Sequence, residues 1–127
     1  MPERQRVEDF IRTVVSGAHV EAIERFYHED ASMRENNKEP RRGRAVLVAH
    51  EAAALARLAR MHTHPVETFL IDGDNVVVKW TFDMTDAKGV TRRMEEVALQ
   101  RWAGDRIAEE RFFYDPAAIL PIESPTT

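Results

Sequence analysis

Val7, Phe10, Ile11, Val14 and Val15 recur at the spacing of one helical stripe, and Gly17 then offers a stop. Val20, Ile23, Phe26 and Tyr27 form a second, shorter stripe ending near 28–30, followed by an extended stretch over 31–35 and a polar loop over 36–43. Residues 44–61 are rich in Ala and Leu with no breaker before Pro65, and their apolar positions cover more than half the helical circumference. This predicts a third helix packed on two sides, the best buried of the three. From Thr68 the period changes to that of strands, over 69–71, 76–84, 93–102 and 107–114, divided by Asp72-Gly73-Asp74, Asp86-Ala87-Lys88-Gly89 and Ala103-Gly104-Asp105. Three helices, a short early strand and then a meander imply an α+β domain, with the helices packed on one face of a strongly curved, mostly antiparallel sheet. The expected core spans about 4–120 of a single domain, with 121–127 a loose tail.

The turn at Asp86-Ala87-Lys88-Gly89 suits a three-residue hairpin loop with Gly89 left-handed, which pairs Asp86 with Val90. Counting back, Met94 faces Phe82, Glu96 faces Trp80, Ala98 faces Val78 and Gln100 faces Val76, while Arg93 meets Asp83 and Glu95 meets Thr81 on the other side. The even-numbered face is apolar and should be covered, so Glu96 and Gln100 are its misfits. The last hairpin stays open on turn chemistry. A two-residue turn at Gly104-Asp105 would send Arg111 and Phe113 inward, and a three-residue loop would send Phe112 and Tyr114 inward. Val77, Val97 and Leu99 share the opposite face, which predicts a homodimer through the sheet.

The chain has 127 residues, enough for one core that buries roughly two-thirds of the unfolded surface. Hydrophobic residues make up 43% and charged residues 31%, a balance too apolar for disorder. A net charge of -4 argues against a nucleic-acid partner, and the basic cluster Arg41, Arg42, Arg44 reads as a solvated loop flanked by Glu39 and Glu51. Cysteine is absent, which removes disulfides and thiol chemistry and agrees with a cytoplasmic location. No apolar run approaches the ~20 residues that span a bilayer, so no membrane partner is expected. His62 and His64, with His50 and Glu51, sketch a metal site, yet they lack ligand spacing and read as solvated or rim residues. No metal or cofactor is expected. Ser16, Ser32 and Ser124 sit in no nucleophile-elbow sequence, and Asp115 before Pro116 reads as a turn residue.

Six segments taken in order carry a resemblance: 20–23 (VEAI), 26–31 (FYHEDA), 40–46 (PRRGRAV), 71–76 (IDGDNV), 104–107 (GDRI) and 111–115 (RFFYD). Over about 4–120 the chain resembles the SnoaL-like and ketosteroid-isomerase-like proteins of the nuclear transport factor two-like superfamily. That resemblance implies a cystatin-like cone with an internal pocket, commonly homodimeric, whose members include steroid isomerases, polyketide cyclases and epoxide hydrolases. It also implies a carboxylate base at Glu35. The oxyanion donors of the steroid isomerases fall at Ile11 and Ala98 and are lost, and the further aspartate of the epoxide hydrolases is replaced by Phe112. The resemblance further implies the last-strand register that points Tyr114 inward with Glu96, Ala98, Gln100 and Trp102.

The expected function is binding of a small apolar, oxygen-bearing molecule, with isomerisation, cyclisation or dehydration by proton transfer. Glu35 and Glu96 are the candidate acid or base, and Trp80, Gln100, Trp102, Phe112 and Tyr114 the candidate ligand-binding residues. A carboxyl against Trp80 in a dry pocket should have a raised pKa. The alternative is a non-enzymatic dimeric module, and an open, partly polar cavity of roughly 300 Å³ or more would favour ligand chemistry over it.

Overall fold

The computed structural model describes residues 1–123; Ser124 and the three residues after it, the end of the expected tail, lie outside the described residues. Helices α1 (Arg4–Val15) and α2 (His19–Phe26) lead into strand β1 (Tyr27–Glu35), a short β2 (Arg41–Arg42) and helix α3 (Arg44–Ala56). Strands β3 (Arg60–Thr63), β4 (Phe69–Asp72), β5 (Asn75–Thr85), β6 (Thr91–Ala103) and β7 (Arg106–Phe113) follow, then a 3-10 turn at Pro116–Ala118 and β8 (Leu120–Ile122). The sheet order is β2-β1-β7-β6-β5-β3, with β4 added to β5 and β8 to β6. β1 runs parallel to β7, and the other pairings are antiparallel.

The α1 stripe buries Val7, Phe10, Ile11 and Val14 against the sheet. Phe10 is its centre, with edge contacts to Phe26, Tyr27, Trp80 and Trp102 at ring separations of 5.5 to 6.1 Å. Where α2 ends, arginines from three elements satisfy the carbonyls. Arg6 donates to the Arg25 carbonyl, and Arg44 and Arg106 both donate to that of Tyr27. The chain turns directly from helix into strand there, so β1 starts at Tyr27, four residues before the expected extended stretch.

The β5–β6 hairpin has the expected register throughout, including Trp80 opposite Glu96 and Val76 opposite Gln100. Gly89 is left-handed (φ 85°), and the Asp86 amide donates to the Val90 carbonyl at 2.9 Å. The β6–β7 hairpin combines the two alternatives. Its turn is the two-residue one, pairing Ala103 with Arg106 and Trp102 with Ile107. A bulge then inserts Ala108, so that Arg101 meets Glu109, Gln100 meets Glu110 and Ala98 meets Phe112. Parity switches within the strand, and Glu110 and Phe112 face the same side as Glu96.

Several expectations fail, the solvated-loop reading of Arg41 and Arg44 among them, since Arg41 pairs with Glu35 and Arg44 donates to the Tyr27 carbonyl. Helix α3 is the least buried of the helices, with Leu47 its one fully buried residue and Val46 exposed, because its inner face looks onto a cavity instead of packed side chains. Residues 121–122 belong to β8, which covers the edge that β6 leaves free beside Thr91–Arg93. His62 is exposed as expected, but His64 is half-buried in a cluster. His64 Nε2 lies 2.7 Å from Asp83, the His62 ring packs 4.9 Å from that of His64, and Arg93 donates two bonds to the same carboxylate. Asp83 is only 2% exposed, and Arg93 and His64 hold its pKa down at about 2 against the opposing effect of burial. Among the described residues no helix is long and apolar enough to cross a membrane.

Candidate functional site

Between α1, α2, α3 and the sheet lies a cavity of about 380 Å³. Phe10, Ile23, Trp80, Phe82 and Phe112 give it an apolar wall, and four methionines, Met33, Met61, Met84 and Met94, complete that wall. The exposed His50 and Arg57 mark its mouth. Into this apolar space project four glutamates, Glu35, Glu51, Glu96 and Glu110, each from a different element.

Glu35 ends β1 and is fixed by its neighbours. Arg41 donates to Oε2 at 2.9 Å and Tyr114 donates its hydroxyl to Oε1 at 3.0 Å. The turn that brings these groups together is built on Asn36, left-handed at φ 51°. Its amide donates to the Phe112 carbonyl, its carbonyl accepts from Arg111, and its side-chain oxygen accepts from the Tyr114 amide. Burial pushes the Glu35 pKa up, but the bonds from Arg41 and Tyr114 outweigh it and the net shift is downward. Tyr114 is raised to about 12 by burial and by the Glu35 carboxylate that accepts its proton.

Glu96 is the opposite case. Its side chain is 8% exposed, it stands opposite Trp80, and among the described residues no side chain bonds or pairs with its carboxyl. Burial raises its pKa to about 8, with help from the charges of Glu110, Glu35 and Glu51. Glu110 is satisfied on both oxygens: Tyr27 donates its hydroxyl to Oε1 and Gln100 donates to Oε2 at 2.7 Å. Trp102 in turn donates its indole N–H to Gln100 at 2.9 Å. Burial outweighs these two donors and brings Glu110 up to about 7. On the helical side, His19 meets Thr63 at 2.8 Å through Nε2 and approaches Glu51 at 3.5 Å through Nδ1.

The fold alone does not separate the proteins that build a helix-covered cone; the family comparison does. The sequence model described as the SnoaL-like domain matches residues 7–110. The chain belongs to the SnoaL-like domain family. Among curated proteins no sequence matches it. A candidate SnoaL-like polyketide cyclase from Mesorhizobium loti is 25% identical to this SnoaL-like chain, covering 90% of it and 100% of the other chain, with a TM-score of 0.73. TerC, co-crystallised with polyporic acid, is 18% identical, covers 90% of this chain and 92% of its own, and has a TM-score of 0.75. A protein of ketosteroid isomerase-like fold from Catenulispora acidiphila, in complex with trimethylamine, is 17% identical, with coverages of 92% and 90% and a TM-score of 0.76.

Of the residues singled out in sequence, the SnoaL-like fold brings Glu35, Glu96, Trp80 and Phe112 onto the cavity. Tyr114 reaches it through Glu35. Gln100 and Trp102 lie behind the wall and support Glu110. Sequence reasoning passed over Glu110, although the register that turns Phe112 and Tyr114 inward turns position 110 inward too. It also passed over His19, and weighed Glu51 only beside His50 as a metal ligand; His19 and Glu51 meet across two helices and leave no local signal.

Proposed function

We propose that this SnoaL-like chain binds a small, mostly apolar, oxygen-bearing molecule in the cavity and exchanges a proton with it through Glu96, as isomerisation, cyclisation or dehydration requires. The observation that carries this reading is the unpartnered Glu96 carboxyl facing an apolar space of about 380 Å³, above the volume at which ligand chemistry is favoured. Glu96 and Glu35 share the cavity with proton affinities pushed apart, which separates an acid from a base. At neutral pH Glu96 holds its proton and donates to a substrate oxygen, while Glu35 is ionised and is the complementary acceptor. Small molecules in complexes of the same fold, polyporic acid with TerC and trimethylamine in the Catenulispora protein, support a cavity that takes a ligand.

The second reading is a binding module without turnover. It is favoured by Ile11 and Ala98, which are buried and apolar at the positions of the lost oxyanion donors. One experiment separates the two: a thermal-shift screen of apolar carbonyl compounds, followed by NMR of α-hydrogen exchange in heavy water for each stabilising compound. Exchange that disappears in Glu96→Gln supports catalysis. Stabilisation with no exchange supports the module, and stabilisation by no compound defeats the ligand reading.

A further inference from the structure

Charge inside the cavity is unbalanced. Four glutamates face it from β1, α3, β6 and β7, together with Arg41 from β2, His19 from α2, and His50 and Arg57 at the mouth. Arg41 is taken by Glu35, and His19 stands beside Glu51. Arg57 is exposed, away from the inner wall. Among the described residues Glu96 and Glu110 therefore share the interior with no basic side chain of their own, and Glu96 has no hydrogen-bond partner either.

An unpartnered buried acid is costly unless something answers it. A proton can answer it, and so can a ligand. Anions are repelled by the four carboxyls. A neutral oxygen compound takes one hydrogen bond from the protonated acid and leaves the remaining negative potential unused. A cation uses all of it, and the faces of Phe10, Trp80 and Phe82 suit an alkylated ammonium, which aromatic rings attract.

We infer that the molecule held by this cavity carries a basic nitrogen: it is a hydrophobic amine whose ammonium head lies beside Glu96 and whose body lies on the aromatic and methionine wall. This goes beyond the proposed function and departs from it in the protonation of Glu96, which faces the ammonium as a carboxylate; it rests on that reading only in that the cavity holds a small molecule. Ammonium and proton compete for Glu96, so the amine binds more tightly as pH rises and displaces the proton. A carbonyl compound that needs the proton behaves in the opposite way.

The test compares benzyltrimethylammonium, a permanent cation, with neopentylbenzene, its carbon isostere, and with 4-phenyl-2-butanone, by calorimetry on the full chain. The cation is expected to bind at least about tenfold more tightly than its isostere near pH 9, an advantage that shrinks about tenfold by pH 6 as Glu96 takes up its proton. In Glu96→Gln the advantage and its pH dependence are both expected to fall severalfold, with Glu110 leaving a smaller remainder, while the isostere's affinity is kept. The wild-type comparison stands alone if that variant does not fold. Equal binding of cation and isostere at every pH overturns the inference. The ketone binding while the cation does not overturns it and leaves the proposed function standing, and binding of none of the three overturns it as well.

Discussion

At the scale of single residues, Glu96 and Asp83 are two buried carboxyls driven in opposite directions, each with a consequence for stability. The folded state holds the Glu96 proton up to about pH 8, far above the ordinary 4.5, so folding takes up a proton between these values and stability falls as pH rises through them. Urea unfolding should show the chain losing a few kcal/mol between about pH 5 and pH 8, a loss that Glu96→Gln removes in large part. Glu110, raised to about 7, leaves a smaller decline in that variant. A variant with an unchanged slope would place Glu96 in water. Asp83 has the reverse sign: its stabilisation is present above its ordinary 3.8 and is lost as pH falls through about 2. Asp83→Asn should cost about 1–3 kcal/mol near neutral pH, since Arg93 and His64 each lose a charged partner. The same denaturation series reads this, and a neutral substitution would show the cluster to be ornamental. Glu96 was legible in the sequence because a turn signature set its register. The Asp83–Arg93 pair was legible for the same reason, but its third member was not, since only the placement of β3 beside β5 brings His64 to it.

Among the elements, legibility followed the source of the constraint. Local signals located α1, α2 and the long strands β5 and β6, whose period and turn residues are their own. β2 and β3 are short and polar, with sequences Arg41-Arg42 and RMHT, and exist because partner strands offer them edges. β7 was half legible: its residues announce a strand, but the bulge that sets its parity sits on an ordinary alanine, Ala108. The turn after β1 has the composition of a plain polar loop, although Asn36 gives it a left-handed bend and ties it to the end of β7. Asn36→Ala should therefore cost about 1–2 kcal/mol, through backbone strain and a lost bond, and Asn36→Gly should cost less because glycine accepts the same φ. Thermal melts of the two variants decide the order. An alanine variant at least as stable as the glycine one would show that the bend is not what holds Glu35 against Tyr114.

The whole molecule presents its second sheet face to the outside with Val97, Leu99 and Phe113 each about 40% exposed and Val77 beside Leu99. Such a strip is expected to self-associate as a two-fold pair in which each copy covers the other's strands. Sedimentation should show a dimer at micromolar concentration, weakened by Leu99→Glu with the cavity and its ligand response intact; a monomer at that concentration would defeat the expectation. Opposite that face, the cavity draws on four of the chain's five methionines, the fifth being the exposed Met1. Each thioether turns about three soft bonds, so a lining built of them follows the outline of its occupant instead of imposing one. Shape is then a poor filter. Compounds with the same polar head and differently branched bodies should bind within a narrow span of affinities, and discrimination falls to the rigidly mounted carboxyls on the strands.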